Sequence, residues 1–449
     1  AATVKMFLDQ GYGVISFDQR GFGESTGTVT VMDPDRDGAN LVQVVDWAES
    51  NLDWLSYRDG NLLLGALGGS YGAGYQLMLN NIDPLQRLDA VIPNVSWYDL
   101  GYSLNPGDVP KSGYGLMLNL SGQFGSGFEM DPVLSDAIQQ GVTEGRLSEE
   151  SKADLLYRSN RYFCDGNSLP GRREATPPPQ VDALIFQGMH DVLFNFNEGK
   201  ANYDCLSAAG GDVRLLTYNL GHVLPAGVNL FPQEFPSADA YGGCGPYEVN
   251  QLSLDWMDAK LKLDAQAADR VTNIPETCIV LDSSGEAVVL DGVPVGGMNV
   301  NLPVLNVPVS APHLRTTSLF TASEDTVVAG IPTATLTIEN SNPFQWPWVE
   351  DTGDVIIYVS LLHSRYGMPA YLEPIDDQIR PLRGFGTHSI ELNGVSAKLR
   401  VGDRIDLQVA TRSSLQFPLM VNTNPALSAV RVSGSVQLPV LGNVETVTP

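Results

Sequence analysis

One junction limits the possible folds of this chain more than any other: the apolar run Leu62 to Leu67 leads directly into Gly68-Gly69-Ser70-Tyr71-Gly72, and Ala73 to Leu79 then continue with helical texture. A short apolar run bounded in this way reads as a buried strand, so the pentapeptide sits on a strand-to-helix turn. A serine there is held in a strained backbone. Flanking glycines are expected because a Cβ would collide with the neighbouring strand and helix. The turn lifts the hydroxyl clear of the sheet edge, and the helix start aims the Tyr71 N–H at a developing oxyanion. Ser70 is therefore the candidate nucleophile, and the Tyr71 backbone N–H one oxyanion donor.

A serine hydroxyl needs a base, and the base needs an orienting carboxylate. On this kind of turn the chain order is serine, acid, histidine. The chain has five histidines: His190, His222, His313, His363 and His388. The last three fall in the β-rich C-terminal part. His222 follows the strand DVRLLTYN in a short loop, where it would face the carboxyl edge of the sheet. Asp191 closes the preceding strand VDALIFQGMHD and lies 222 − 191 = 31 residues earlier, enough for one helix and one strand. Glu198 and Asp204 are its rivals. His190, Trp97, Tyr98 and Tyr102 are expected to line the pocket.

The texture along the chain predicts an α/β fold. Residues 1–99 alternate strands with amphipathic helices, including GVISFDQRG from Gly13 and LDAVIPNVSW from Leu88, with a helical stripe at Leu41, Val44, Val45, Ala48 and Leu52. Residues 100–176 lose the strand signal and show Gly-rich turns from Gly101 to Gly127 and a charged helix near Ser148 to Arg158. They read as a helical cap inserted into the sheet. Residues 177–265 resume the core and end in a helix with Val249, Leu252, Trp256 and Leu263 on one face. Residues 266–449 carry short Val, Thr, Ile and Leu runs between Gly, Pro, Asn and Asp, the pattern of an antiparallel β-sandwich.

Composition narrows the partners. With 449 residues, 43% hydrophobic and 17% charged, the chain is large enough for two or three packed domains. Its 52 acidic against 26 basic residues give a charge of −26, which opposes nucleic-acid phosphates and reads as a solvated surface. No apolar run reaches the roughly 18 to 20 residues of a membrane span. Cys164, Cys205, Cys244 and Cys278 show no metal or redox spacing and suggest two disulfides in an oxidising compartment, secreted or periplasmic. Of three pairings, Cys164 with Cys205 and Cys244 with Cys278 is preferred, since each pair flanks one structural junction.

Three weaker signals have plainer explanations. Asp33 to Gly38 resembles the opening of a calcium loop, but its twelfth position is Val44, so a helix-start turn is expected. Asp18 and Arg20 are expected to pair and shape a turn. Phe344, Trp346 and Trp348, with interleaved prolines, suggest a domain-interface plug. No cofactor motif or metal site is read.

The segments FDQRGFGES from Phe17, VVDWAES, GGSYGAG around Ser70, GMHD at Asp191 and the Gly-His pair at His222 resemble the X-Pro dipeptidyl-peptidase and cocaine-esterase-like serine hydrolases. The resemblance runs nearly the whole chain. It implies an α/β-hydrolase core, a helical cap and a C-terminal jelly roll, with a small-molecule or polymeric ester or a peptide as substrate. Members carry strands and a further oxyanion donor upstream of the helix that opens this sequence. The second donor is therefore unassigned here, and a bound N-terminal fragment completing the sheet is an expected partner. The neutral segment Tyr98 to Phe128 favours an ester over an X-Pro amide; a non-catalytic binding protein on the same scaffold is the third reading.

Overall fold

A computed structural model describes residues 2–222, 243–281, 285–309, 313–341, 355–368, 374–412, 416–420 and 429–449. Phe344, Trp346 and Trp348 lie outside the described residues. The core is a six-stranded sheet whose spatial order follows the chain: β1 (Leu64–Gly69), β2 (Leu88–Asn94), β3 (Asp182–His190), β4 (Val213–Gly221), β5 (Thr277–Val280) and β6 (Ala287–Leu290). β1 to β5 run parallel, and β6 returns antiparallel. β3 is buried at every position between its ends, as a central strand covered on both faces must be.

The helices that cover the sheet follow from their apolar stripes. In α2 (Ala39–Asn51), Leu41, Val45 and Ala48 are buried, three of the five positions expected at helical spacing. Helix α3 (Tyr71–Ile82) follows β1 directly. In α10 (Val249–Met257), Leu252 and Trp256 are buried, but Leu263 is exposed. Leu263 falls beyond the helix at a left-handed φ of 55°, where the chain turns off the shared face.

Between β2 and β3 the chain inserts helices: α4 (Leu100–Leu104), α5 (Ser112–Gly125), α6 (Pro132–Thr143), α7 (Glu149–Tyr157) and α8 (Asn160–Cys164). The Gly-rich stretch expected as turns is in fact the 14-residue α5. Packing overrides propensity there. A Cβ on Gly122 would stand 2.5 Å from Met130 Sδ, so the glycine lets α5 lie close to the chain that follows it.

The expected strand from Gly13 is also absent. Residues 13–19 carry no strand pairing, and β1 is the sheet edge among the described residues. With no strand between them, Val14, Ile15 and Phe17 instead line a groove of about 400 Å³ together with Leu62, Leu64 and Ala66. Asp18 and Arg20 take separate partners. The Asp18 carboxylate accepts the Glu24 N–H, and Arg20 donates to Asn40 Oδ1 at 3.4 Å.

After α9 (Phe196–Ala208), α10 and α11 (Ala265–Thr272) and strands β5 and β6, the chain forms antiparallel sheets. One orders β7 (Met298–Pro308), β14 (Ala429–Leu438), β9 (Thr333–Asn340) and β12 (Gly386–Glu391). The other orders β8 (Leu314–Thr321), β13 (Arg404–Ala410), β10 (Ile356–Ser364) and β11 (Arg380–Arg383). Val307, Leu336, Ile338, Val359, Leu407 and Val432 from both sheets form one buried apolar cluster, so the sheets close on each other. Disulfides join Cys164 with Cys205 and Cys244 with Cys278, linking α8 to α9 and the chain before α10 to β5. Among the described residues no helix is long and apolar enough to cross a membrane.

Candidate active site

Ser70 sits between β1 and α3 with φ 55° and ψ −117°, a region that costs a non-glycine residue about 1 to 3 kcal/mol. The surroundings impose this geometry. Ser70 N donates to Asn94 O at the end of β2 (2.9 Å), and Ser70 O accepts from Ala73 N and Gly74 N as the helix begins. The buried Gln76 ties the turn down: its Nε2 donates to Gly68 O and Gly72 O, and its Oε1 accepts from Ile92 N. Of the flanking glycines, Gly68 is sterically required, since a Cβ would lie 2.7 Å from Gly72 O. Gly72 itself meets only ordinary contact.

Ser70, Asp191 and His222 all emerge at the carboxyl ends of parallel strands, where crevices form in such sheets. Ser70 Oγ lies 2.9 Å from His222 Nε2, and His222 Nδ1 lies 2.8 Å from Asp191 Oδ2. Asp191 and His222 are fully buried, whereas Ser70 is partly exposed. The second Asp191 oxygen, Oδ1, accepts from Leu193 N and Phe194 N at 2.9 Å each. With Asp191 Oδ2 against Nδ1 and Ser70 Oγ against Nε2, a proton carried on Nδ1 leaves Nε2 as the acceptor toward the serine. Tyr71 opens α3, so its N–H has no acceptor within the helix.

The two rival acids lie elsewhere. Glu198 on α9 accepts from the Tyr98 and Asp99 N–H groups; burial, with the Asp99 charge adding to it, pushes its carboxyl up to about 8. Asp204 is exposed beside Lys200.

The four predicted pocket residues separate. Trp97 is buried near the serine: its ring centroid is 6.5 Å from that of Tyr71 and 5.3 Å from that of Phe194, which in turn is 5.1 Å from His222. Gly74 admits this indole, since a Cβ there would lie 2.4 Å from it. Tyr98 turns instead into a surface cleft of about 430 Å³ with Asp165, Pro177 and Cys205, where its hydroxyl donates to Asp165. Tyr102 hydrogen-bonds Asn195 and Asn393 between core and C-terminal sheets. His190 also faces those sheets, with Nδ1 2.9 Å from Asp377 Oδ2 and Nε2 3.7 Å from Asp376 Oδ1.

Residues missed by pattern reasoning are Phe22, Phe194, Asn94 and Gln76. Phe22 stacks edge-on to Tyr71 at 5.9 Å and extends the aromatic wall. Only Gln76, a lone amide in the apolar run Ala73 to Leu79, carried a visible signal.

The Asp33 turn opens α2 as expected, with Asp33 Oδ1 accepting the Asp35 N–H. Two of its three carboxylates lie against protein cations: Arg158 and Arg172 at Asp33, and Arg173 at Asp35. Among the described residues no group of three or more His, Cys, Asp or Glu side chains could hold a metal ion.

The sequence model of the X-Pro dipeptidyl-peptidase (S15) family matches residues 1–224. An uncharacterised 31.7 kDa protein of a traX-finO intergenic region in Escherichia coli is 30% identical over 214 residues, 45% of this chain and 70% of that one. Among solved structures, an α-amino acid ester hydrolase superposes with TM-score 0.62 at 13% identity, covering 98% of this chain and 87% of its own. A CocE/NonD family hydrolase from Staphylococcus aureus gives TM-score 0.58 at 12% identity, covering 94% and 78%. At such identities the structural likeness speaks for the fold alone.

Proposed function

This chain belongs to the X-Pro dipeptidyl-peptidase (S15) family and is a hydrolase, and from that premise we propose that it cleaves carboxylic esters through an acyl-enzyme on Ser70. The observation that carries the reading is the hydrogen-bonded series Ser70–His222–Asp191 at the carboxyl edge of the sheet, with 2.9 and 2.8 Å spacings and the serine at positive φ.

In this mechanism His222 Nε2 takes the Ser70 proton as Oγ attacks the carbonyl. The tetrahedral oxygen gathers negative charge facing the Tyr71 N–H and the α3 dipole. His222 then hands the proton to the leaving alkoxide. Water repeats the sequence on the acyl-enzyme and frees the acid.

An ester is favoured by the wall of Phe22, Tyr71, Trp97 and Phe194, which offers aromatic surface without a charge. Asp37, behind the Tyr71 phenol, is engaged by Thr30 and Met32, and Glu198 by backbone N–H groups. Both carboxylates are buried rather than open to a peptide ammonium from solvent. The two disulfides support residence in an oxidising compartment, outside the cytosol.

The test compares a p-nitrophenyl acyl ester with an X-Pro p-nitroanilide and adds covalent labelling by a fluorophosphonate. Turnover of the ester, labelling of the parent chain and loss of both in Ser70→Ala are expected. Turnover of the anilide alone would replace the ester with an amide. No adduct on the parent chain would leave a binding protein on a hydrolase scaffold.

A further inference from the structure

The loop carrying Asp191 folds inward around its own carboxylate. With the Leu193 and Phe194 N–H groups bound to Asp191 Oδ1, the carbonyls of the loop face away and need donors from outside the sheet. Two buried side chains supply them. Lys111, the residue just before α5 in the inserted helices, donates Nζ to Val192 O at 2.6 Å and Leu193 O at 3.1 Å. Gln378, in the turn before β11, donates Nε2 to Met189 O at 2.9 Å and Asp191 O at 3.2 Å. Asn393 Nδ2 donates to Gln378 Oε1 at 3.1 Å, which fixes the orientation of that amide. Lys111 is 4% and Gln378 3% exposed, so water is no ready substitute for either.

We infer that Lys111 and Gln378 are positioning residues for Asp191: the inserted helices and the C-terminal sheets each reach one buried donor into the acid loop, so the alignment of the acid depends on both being docked. This rests on the Ser70–His222–Asp191 reading. Neither side chain touches the reacting atoms. The charged groups facing Lys111 are Asp191 and Glu198, which favour its ammonium, and Arg380, which opposes it; burial lowers its pKa to about 8. Near neutral pH it therefore still carries charge beside the acid.

The test measures kcat, KM and the pH profile of kcat/KM on a p-nitrophenyl ester for Lys111→Met and Gln378→Leu, alongside circular dichroism. A misplaced acid should lower kcat on the order of 10- to 100-fold with KM nearly unchanged. In Gln378→Leu, which removes no charge, it should also move the acid limb, where His222 protonates, to lower pH as the imidazolium loses carboxylate support; Lys111→Met, which also removes a cation beside the acid, is judged on kcat. A merely structural role would lower Tm while leaving kcat and the limb in place, and that result overturns the inference. If Lys111→Met does not fold, Gln378→Leu alone decides by the same criterion. Asp191→Asn runs in parallel to separate the two failures. Full activity in Asp191→Asn would remove the triad itself, whereas its inactivity with an unmoved limb in Gln378→Leu would remove only the positioning role.

Discussion

Ser70 is held at φ 55° by bonds at both ends: Asn94 O receives its N–H, and its own carbonyl nucleates α3. Such strain persists only where the surroundings over-determine it. Ser70→Gly should therefore abolish turnover yet raise unfolding stability by about 1 kcal/mol, the strain relieved exceeding the added chain entropy. Denaturation midpoints check this; a less stable glycine variant would mean the turn stores little. At this scale the hydrogen-bonded series Ser70–His222–Asp191 was legible because each residue closes a strand and the chain order admits few combinations. Tyr98, Tyr102 and His190 were not, because adjacency to a strand end does not say which way a side chain turns. Glu198 accepts the Tyr98 and Asp99 N–H groups and so draws the backbone after Trp97 toward α9, and Asp377 takes the His190 ring.

Among elements, strands β1 to β4 could be read from apolar runs bounded by turn residues, since covered parallel strands leave few other uses for such runs. Two elements could not. The chain at Gly13 has strand composition, but a strand exists only through a partner, and none stands beside it among the described residues. Helix α5 has turn composition, yet two of its glycines, Gly122 and Gly125, are close-contact positions against Met130 and Phe22. Gly122→Val should thus lower Tm modestly, by about 1 kcal/mol or less of stability, since the Met130 thioether it meets is the free end of a flexible side chain that can give way. Gly127, exposed at φ 62° with open space where a Cβ would stand, is a control for backbone effects alone.

In the whole molecule, the core and the C-terminal sheets meet at His190, Asp376 and Asp377 near the acid loop. Burial pushes the Asp376 carboxyl up to about 6, a rise that His190 and the two bonds from Ser396 only partly counter. The folded state thus favours its neutral form, and roughly 3 kcal/mol present below the ordinary carboxylate pKa is lost as pH rises through about 6. Burial draws the His190 pKa down, but Asp377 and Asp376 more than offset it and hold it above the ordinary value. Its contribution is complete below the ordinary histidine pKa and fades as pH climbs through the raised one. Under the proposed mechanism catalysis runs the other way, since it requires His222 unprotonated at Nε2. Asp376→Asn should flatten the fall in Tm between about pH 4 and pH 6; a slope equal to that of the parent would place the proton elsewhere.

The bond between Cys164 and Cys205 closes a segment that contains the exposed stretch from Gly171 to Glu174 as well as Asp191. A protease that clips this stretch therefore produces two polypeptides still joined by sulfur, with the acid strand seated in the sheet. Such a nicked molecule would migrate as one band without reductant and as two once a reductant is added, so purity judged on a non-reducing gel would overstate the fraction of unbroken chain.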